Sequence, residues 1–188
     1  MERVAFDVRR AAFGVRAFAV VLGALVVALA AQVAVPLPGT PVPMTLQPMA
    51  VLLVGGLLGA RLGALSLILY LAMGAAGLPV FTPSLVLLPG IGRLFGQTGG
   101  YLLAYPIAAY AVGAIVADGR NVWRVACGVL AGLVLIHLGG LAQLAILTGN
   151  LSAAARFGTV PFLLGDLLKI AVLVPVLAKL SPTIRTRL

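Results

Sequence analysis

The chain alternates between long apolar runs and short segments rich in proline, glycine or charge. A helix needs about 20 apolar residues to cross the hydrocarbon core of a bilayer, and fewer where it is short or partly re-entrant. Between the runs, segments such as 35–43 and 78–92 contain several prolines and glycines, which oppose regular helix. The pattern therefore predicts six membrane helices. Their approximate bounds are 14–35, 48–60, 62–78, 99–117, 123–147 and 161–180.

Composition places the whole chain in a bilayer. Of its 188 residues, 62% are hydrophobic and 9% are charged, and the mean hydropathy is +1.19. This is more apolar surface than a soluble domain of such a size carries. The first run also resembles a signal peptide with a small-residue site at 28–30, but it continues to Val35, so we expect it to be retained. We predict an all-α integral membrane protein with a single domain over residues 1–188.

The formal net charge of +9 is better explained by membrane topology than by nucleic-acid binding, since no basic, aromatic-interleaved soluble surface is evident. With a cytoplasmic N-terminus, the six helices place ten of the thirteen basic residues on the inner side, as the positive-inside rule requires. These ten are Arg3, Arg9, Arg10, Arg16, Arg61, Arg120, Arg124, Lys179, Arg185 and Arg187. Both termini are therefore predicted to be cytoplasmic, which leaves Arg93, Arg156 and Lys169 outside.

Asp166 is the one acid predicted on the outer half of the membrane, and it lies in the last apolar run with Lys169 three residues later. Charges inside membrane helices face protein or a water-filled cavity. At this spacing the two side chains share a helix face, so they could simply neutralise each other. Alternatively, they line an outward-facing pocket in which Asp166 accepts ligand N–H groups and Lys169 meets a carboxylate.

Other polar residues could complete such a pocket. Arg93 supplies a second cation from a loop that returns to the membrane, and the pocket would then suit an anionic ligand with N–H donors. Gln47 and Tyr101 are candidate ligand contacts, although helix–helix hydrogen bonds could also satisfy them. His137 lies inside the fifth run, where a lone histidine more often links helices than binds a ligand.

Enzyme chemistry finds little support in the sequence. Ser66 and His137 form the one possible serine–histidine pair, but no G-x-S-G motif surrounds the serine. A single histidine, a single cysteine and a single intramembrane acid do not supply a usual metal site, so we expect no metal and no cofactor. The chain also lacks the glycine–lysine step of a phosphate-binding loop, so it cannot itself hydrolyse ATP.

Four stretches in order resemble the BioY family, the biotin-specific S components of energy-coupling factor (ECF) transporters. They are PLPGTPVPMTLQ at 36–47, LGARLGALSLILYLAMGAAGLPVF at 58–81, GQTGGYLLAY at 96–105 and PFLLGDLLK at 161–169. The chain departs from the family pattern at Gln97, where proline is usual, and at Leu164. Neither departure removes a charged group.

The resemblance implies a six-helix bundle with both termini in the cytoplasm and biotin as the ligand. It also implies that Asp166 and Lys169 contact polar groups of the ligand, while Arg93 matches a basic residue of some members. We assign Asp166 to the ureido ring of biotin and Lys169 to its carboxylate. The reverse arrangement, with Lys169 on the ureido oxygen and Arg93 on the carboxylate, stays open.

The resemblance further implies a bacterial cytoplasmic membrane and three partner subunits, namely an ECF transmembrane coupling subunit and two ATPase subunits. Small residues in the first helix, Ala24 and Ala28, are candidates for docking the coupling subunit, although they could equally pack within the chain. A homo-oligomer is possible. Two alternatives are an S component for another small anionic vitamin and a proton-coupled carrier that uses Asp166.

Overall fold

The computed structural model describes residues 2–84 and 88–188, with side chains described from residue 13 onward. The side chains of Arg3, Arg9 and Arg10, and residues 85–87 of the 78–92 segment, therefore lie outside the described residues. Over the described ranges the protein is helical apart from one short antiparallel pair of strands. The helices are α1 (Glu2–Gln32), α2 (Gln47–Leu58), α3 (Ala60–Ala75), α4 (Gly92–Phe95), α5 (Gly99–Val116), α6 (Val122–Thr148), α7 (Leu151–Gly158) and α8 (Leu163–Arg185); the strands are β1 (Ala34–Val35) and β2 (Met44–Thr45).

Four stretches of the described chain are long and apolar enough to cross a membrane: Phe13–Gln32, Gly99–Val116, Val122–Thr148 and Leu151–Arg185. The apolar helices α2 and α3 have 12 and 16 residues and are shorter than a full span. They meet at Gly59, whose φ of 84° lies in the left-handed region that favours glycine. The structure thus shows an all-helical protein with four candidate spans.

Helix α5 lies at the centre of the bundle and packs against α2, α3 and α6. Small residues make this close packing possible. A Cβ atom at Gly100 would clash with the backbone of Gly139 on α6, and one at Gly113 would clash with the start of α3. Close backbone approach through small residues is a common means of packing helices in membranes.

At one end of the bundle, side chains of α8 form hydrogen bonds with α2 and α5. Ser181 Oγ donates to the carbonyl of Gly56 at 3.2 Å, and Arg185 donates to the same carbonyl and to that of Gly113. At the opposite end lie the N-termini of α2, α5 and α8, together with α4 and the β1–β2 hairpin. This second end holds most of the polar residues singled out in the sequence.

Candidate ligand-binding site

A cavity that is partly open to solvent lies at the end of the bundle where α2, α5 and α8 begin. Pockets for small organic ligands combine apolar walls with a few polar groups. The apolar part of the lining includes Val42, Pro43, Pro48, Phe81, Leu102, Leu133, Ile136 and Phe162. The polar part includes Thr45, Gln47, Thr82, Arg93, Thr98, Tyr101, His137, Asp166 and Lys169.

Asp166 and Lys169 face this cavity from the first turns of α8. Their side chains are 2.7 Å apart between Nζ and Oδ1, and the residues are only 6% and 8% exposed. The other carboxylate oxygen of Asp166 lies 2.6 Å from Nε2 of His137 on α6. One oxygen of Asp166 is therefore paired within α8, and the other joins α8 to α6.

This arrangement leaves capacity for a ligand. A carboxylate offers about four acceptor positions, and the two protein partners occupy one on each oxygen of Asp166. An ammonium group has three N–H donors, of which Lys169 gives one to Asp166. Both residues can thus bind a further polar group while their opposite charges offset each other.

Arg93 reaches the cavity from the short helix α4 and is 6% exposed. Its Nε donates to the carbonyl of Leu88 at 2.9 Å, and no carboxylate of the described side chains lies within ion-pair distance. Burial lowers the pKa of the Arg93 guanidinium, because removal from water disfavours the charged form. The ordinary value is so high that the group stays cationic at neutral pH.

Gln47 lines the cavity, but its amide is engaged within the protein. Its Nε2 donates to Tyr70 Oη at 2.6 Å, and its Oε1 accepts from Thr82 at 2.8 Å and from Thr45 at 3.3 Å. The amide therefore connects α2 and α3 to the loop that follows α3. In this geometry Gln47 supports the cavity wall, and Thr82 is the polar residue that it holds in place.

Tyr101 also lines the cavity, and its hydroxyl donates to the carbonyl of Gly158 at 2.5 Å. This bond joins the start of α5 to the end of α7. The Tyr101 hydroxyl thus has a protein partner at the edge of the cavity.

The five predicted ligand contacts, Asp166, Lys169, Arg93, Tyr101 and Gln47, all line this one cavity. His137 has the interhelical contact expected of a lone histidine, since it lies against Asp166 on α8, whereas sequence reasoning did not single out Thr82. The available signal for His137 was its place as a lone histidine within an apolar run. For Thr82, the signal was a polar residue in the proline- and glycine-rich segment 78–92.

Ala24 and Ala28 do not lie on the surface. They are 0% and 8% exposed and belong to the hydrophobic core of the chain itself. The structure thus shows the packing role that the sequence left as an alternative for these alanines.

Ser66, the possible nucleophile, is fully buried in α3 and donates to the carbonyl of Leu62 at 2.9 Å. Ser66 does not line the cavity that His137 lines. The two residues therefore do not share that pocket.

An all-helical fold with candidate membrane spans and a partly enclosed, charged cavity is typical of a membrane protein that binds a small molecule. The model of the BioY family matches residues 5–186. The chain belongs to the BioY family, whose members are transporters and not enzymes.

Several curated relatives support this membership. A probable biotin transporter BioY of Pyrococcus horikoshii is 39% identical over 141 residues, which cover 75% of this chain and 82% of that protein. The biotin transporter BioY of Thermotoga maritima is 36% identical over 139 residues, covering 73% and 80% of the two chains.

A solved structure supports the fold. The crystal structure of the S-component for biotin from an ECF-type ABC transporter matches with a TM-score of 0.76 and 24% identity, covering 93% of this chain and 92% of that one. This likeness shows that the present chain has the fold of that protein.

Proposed function

We propose that this protein is the substrate-binding S component for biotin uptake, which captures biotin at the outer face of the membrane and delivers it inward. The observation that carries the proposal is that Asp166, Lys169 and Arg93 of this BioY-family chain line one partly enclosed cavity. The relatives named as biotin transporters and the solved S-component for biotin support the choice of ligand.

The chemistry of biotin matches the lining of the cavity. Biotin has a ureido group with two N–H donors and a carbonyl acceptor, an apolar thioether ring, and a carboxylate on a flexible chain. The apolar walls from α2, α5, α6 and the loop after α3 suit the rings and the chain. Donors and acceptors for the ureido group come from the first turns of α8.

The ion-pair geometry favours one of the two ligand orientations. Asp166 lies 2.7 Å from Lys169 and offsets its charge, whereas Arg93 has no such partner among the described side chains. A ligand carboxylate gains most from a buried cation that is not already paired. We therefore place the carboxylate of biotin at Arg93 and the ureido group at Asp166 and Lys169, which reverses the orientation assigned from the sequence.

For the membrane arrangement we propose a single domain of six helices, in which the short helices α2 and α3 count as the second and third. The excess of basic residues in the segments predicted to be internal supports cytoplasmic N- and C-termini. The proposed location is the bacterial cytoplasmic membrane.

We propose that energy comes from an ECF transmembrane coupling subunit and two ATPase subunits, because this chain has no phosphate-binding loop. We do not assign Ala24 and Ala28 to docking of the coupling subunit, since both side chains are buried against the chain's own helices.

An uptake assay tests the proposed function. Cells that neither make nor import biotin are given this chain together with coupling and ATPase subunits, and accumulation of labelled biotin is measured. The expected result is biotin uptake that excess unlabelled biotin suppresses and other vitamins do not. Suppression by another vitamin, with no effect of unlabelled biotin, would instead support an S component for that vitamin.

A second arm tests the proton-coupled alternative. Proteoliposomes carrying the complete complex are supplied with a fixed amount of ATP, and a protonophore is added. Uptake that continues supports ATP-driven transport. Uptake that collapses while ATP is constant would support a carrier with Asp166 as its proton site.

A further inference from the structure

The geometry points to His137 as a positioning residue of the ligand site, which acts by fixing the carboxylate of Asp166. This inference rests on the proposed function, since it concerns the same biotin site. His137 belongs to α6, and the residue that it contacts lies 29 positions later on α8.

The contact is short and the imidazole ring is held on both sides. Nε2 of His137 lies 2.6 Å from Oδ2 of Asp166. The ring centroid lies 6.5 Å from that of Tyr101, with the planes near perpendicular, and 6.4 Å from that of Phe162. These aromatic neighbours limit rotation of the imidazole, so the direction of its N–H bond is set by the fold.

Two donors on different oxygens fix the plane of the carboxylate. Lys169 donates to Oδ1 and His137 donates to Oδ2, so Asp166 cannot rotate about its side chain without breaking one of these bonds. Without His137, the carboxylate would be free to turn both oxygens toward the ammonium of Lys169. The N–H donors of Lys169 would then be drawn away from the cavity and would no longer be held in place for a ligand.

Other polar links from α6 differ from this one. Gln143, about two turns further along, donates to the backbone carbonyls of Leu94 and Gly96, which links α6 to α4 and to the residue that follows α4. His137 instead contacts an ionisable group that lines the cavity, and its ring also lines that cavity.

The second ring nitrogen argues against a purely structural link. Nδ1 of His137 is buried and has no hydrogen-bond partner among the described residues. A buried polar atom without a partner costs free energy, and an apolar side chain at this position would avoid that cost. The fixed carboxylate of Asp166 is the gain that offsets it.

The test compares His137→Gln with His137→Asn and His137→Leu. The amide nitrogen of glutamine lies near the position of Nε2 and can donate to Asp166, whereas asparagine is too short and leucine has no donor. Biotin affinity is measured by calorimetry and stability by thermal unfolding. Ser181→Ala is the matched control, because it removes a buried interhelical hydrogen bond at the other end of α8.

We expect His137→Leu and His137→Asn to weaken biotin binding by about tenfold or more, the scale of a hydrogen bond to a charged group. His137→Gln should stay within about threefold of the wild type, and Ser181→Ala should bind like the wild type. In an Asp166→Asn background, the change to leucine should have little further effect, since His137 acts through that carboxylate.

Several results would overturn the inference while the proposed function stands. They are wild-type affinity in His137→Leu, equal losses in the glutamine and asparagine variants, or a full additional loss in the Asp166→Asn background. If the leucine variant does not fold, the comparison of glutamine with asparagine decides alone. Failure of the folded wild type to bind biotin would overturn both the inference and the proposed function.

Discussion

Removing the ammonium of Lys169 should destabilise the protein, and removing the partner charge as well should restore much of the loss. Lys169 and Asp166 are 8% and 6% exposed, and they are 2.7 Å apart. Lys169→Met therefore leaves a buried carboxylate without its counter-charge. Breaking a buried pair in this way costs about 3–5 kcal/mol.

The structure places the expected cost near the lower end of that range, because His137 continues to donate to the other oxygen of Asp166. A loss of about 3 kcal/mol corresponds to a fall in unfolding temperature of roughly 6 to 12 °C for a chain of this length. The double variant Asp166→Asn/Lys169→Met has no buried charge at either position, and its asparagine oxygen can still accept from His137. It should therefore recover at least half of the lost stability.

Biotin binding should not recover with stability. The double variant lacks both the carboxylate and the ammonium that we place at the ureido group. Thermal unfolding in detergent and biotin calorimetry are measured on the same preparations of the wild type, both single variants and the double variant. Wild-type stability in Lys169→Met, or a double variant less stable than Lys169→Met, would refute the buried-pair reasoning.

Three further changes have defined outcomes. Arg93→Met should weaken the binding of biotin but hardly change that of biotin methyl ester. Calorimetry should therefore show a smaller difference in affinity between the two ligands than in the wild type; an equal loss of affinity for both ligands would contradict our placement of the carboxylate. Tyr101→Phe leaves the Gly158 carbonyl without its donor and should lower stability by about 1–3 kcal/mol, while biotin affinity changes by less than about threefold; a large affinity loss without a stability loss would assign the hydroxyl to the ligand. Tyr70→Phe removes the acceptor of the Gln47 Nε2 group and should also lower the unfolding temperature, and the loss in the double variant with Gln47→Leu should be smaller than the sum of the two single losses; additive losses would show that the two side chains are not coupled.

Much of the site could be anticipated from local spacing. The i, i+3 relation of Asp166 and Lys169 places them on one helix face whatever the rest of the fold does. Four ordered motifs carried the resemblance to the BioY family, and the family model and relatives confirm it.

The other contacts of the site depend on packing between segments that are distant in the sequence. The bond from His137 to Asp166 exists only because α6 lies against α8, and the bonds from Gln47 to Tyr70 and Thr82 depend on how the loop after α3 folds back. A sequence pattern does not specify which residues of two packed segments face each other. It also could not decide whether the small residues of α1 face a partner or the chain's own core, because small side chains serve both kinds of contact.

Biotin calorimetry on the purified, detergent-solubilised protein tests the central claim most directly, with the wild type compared with Asp166→Asn and Lys169→Met. We predict saturable binding to the wild type at a single site, weakened by more than about 2 kcal/mol in each variant, the scale expected when a buried charge loses its partner. Absence of binding to correctly folded wild-type protein would contradict biotin as the ligand. Wild-type affinity in both variants would make Asp166 and Lys169 a structural ion pair outside the ligand site.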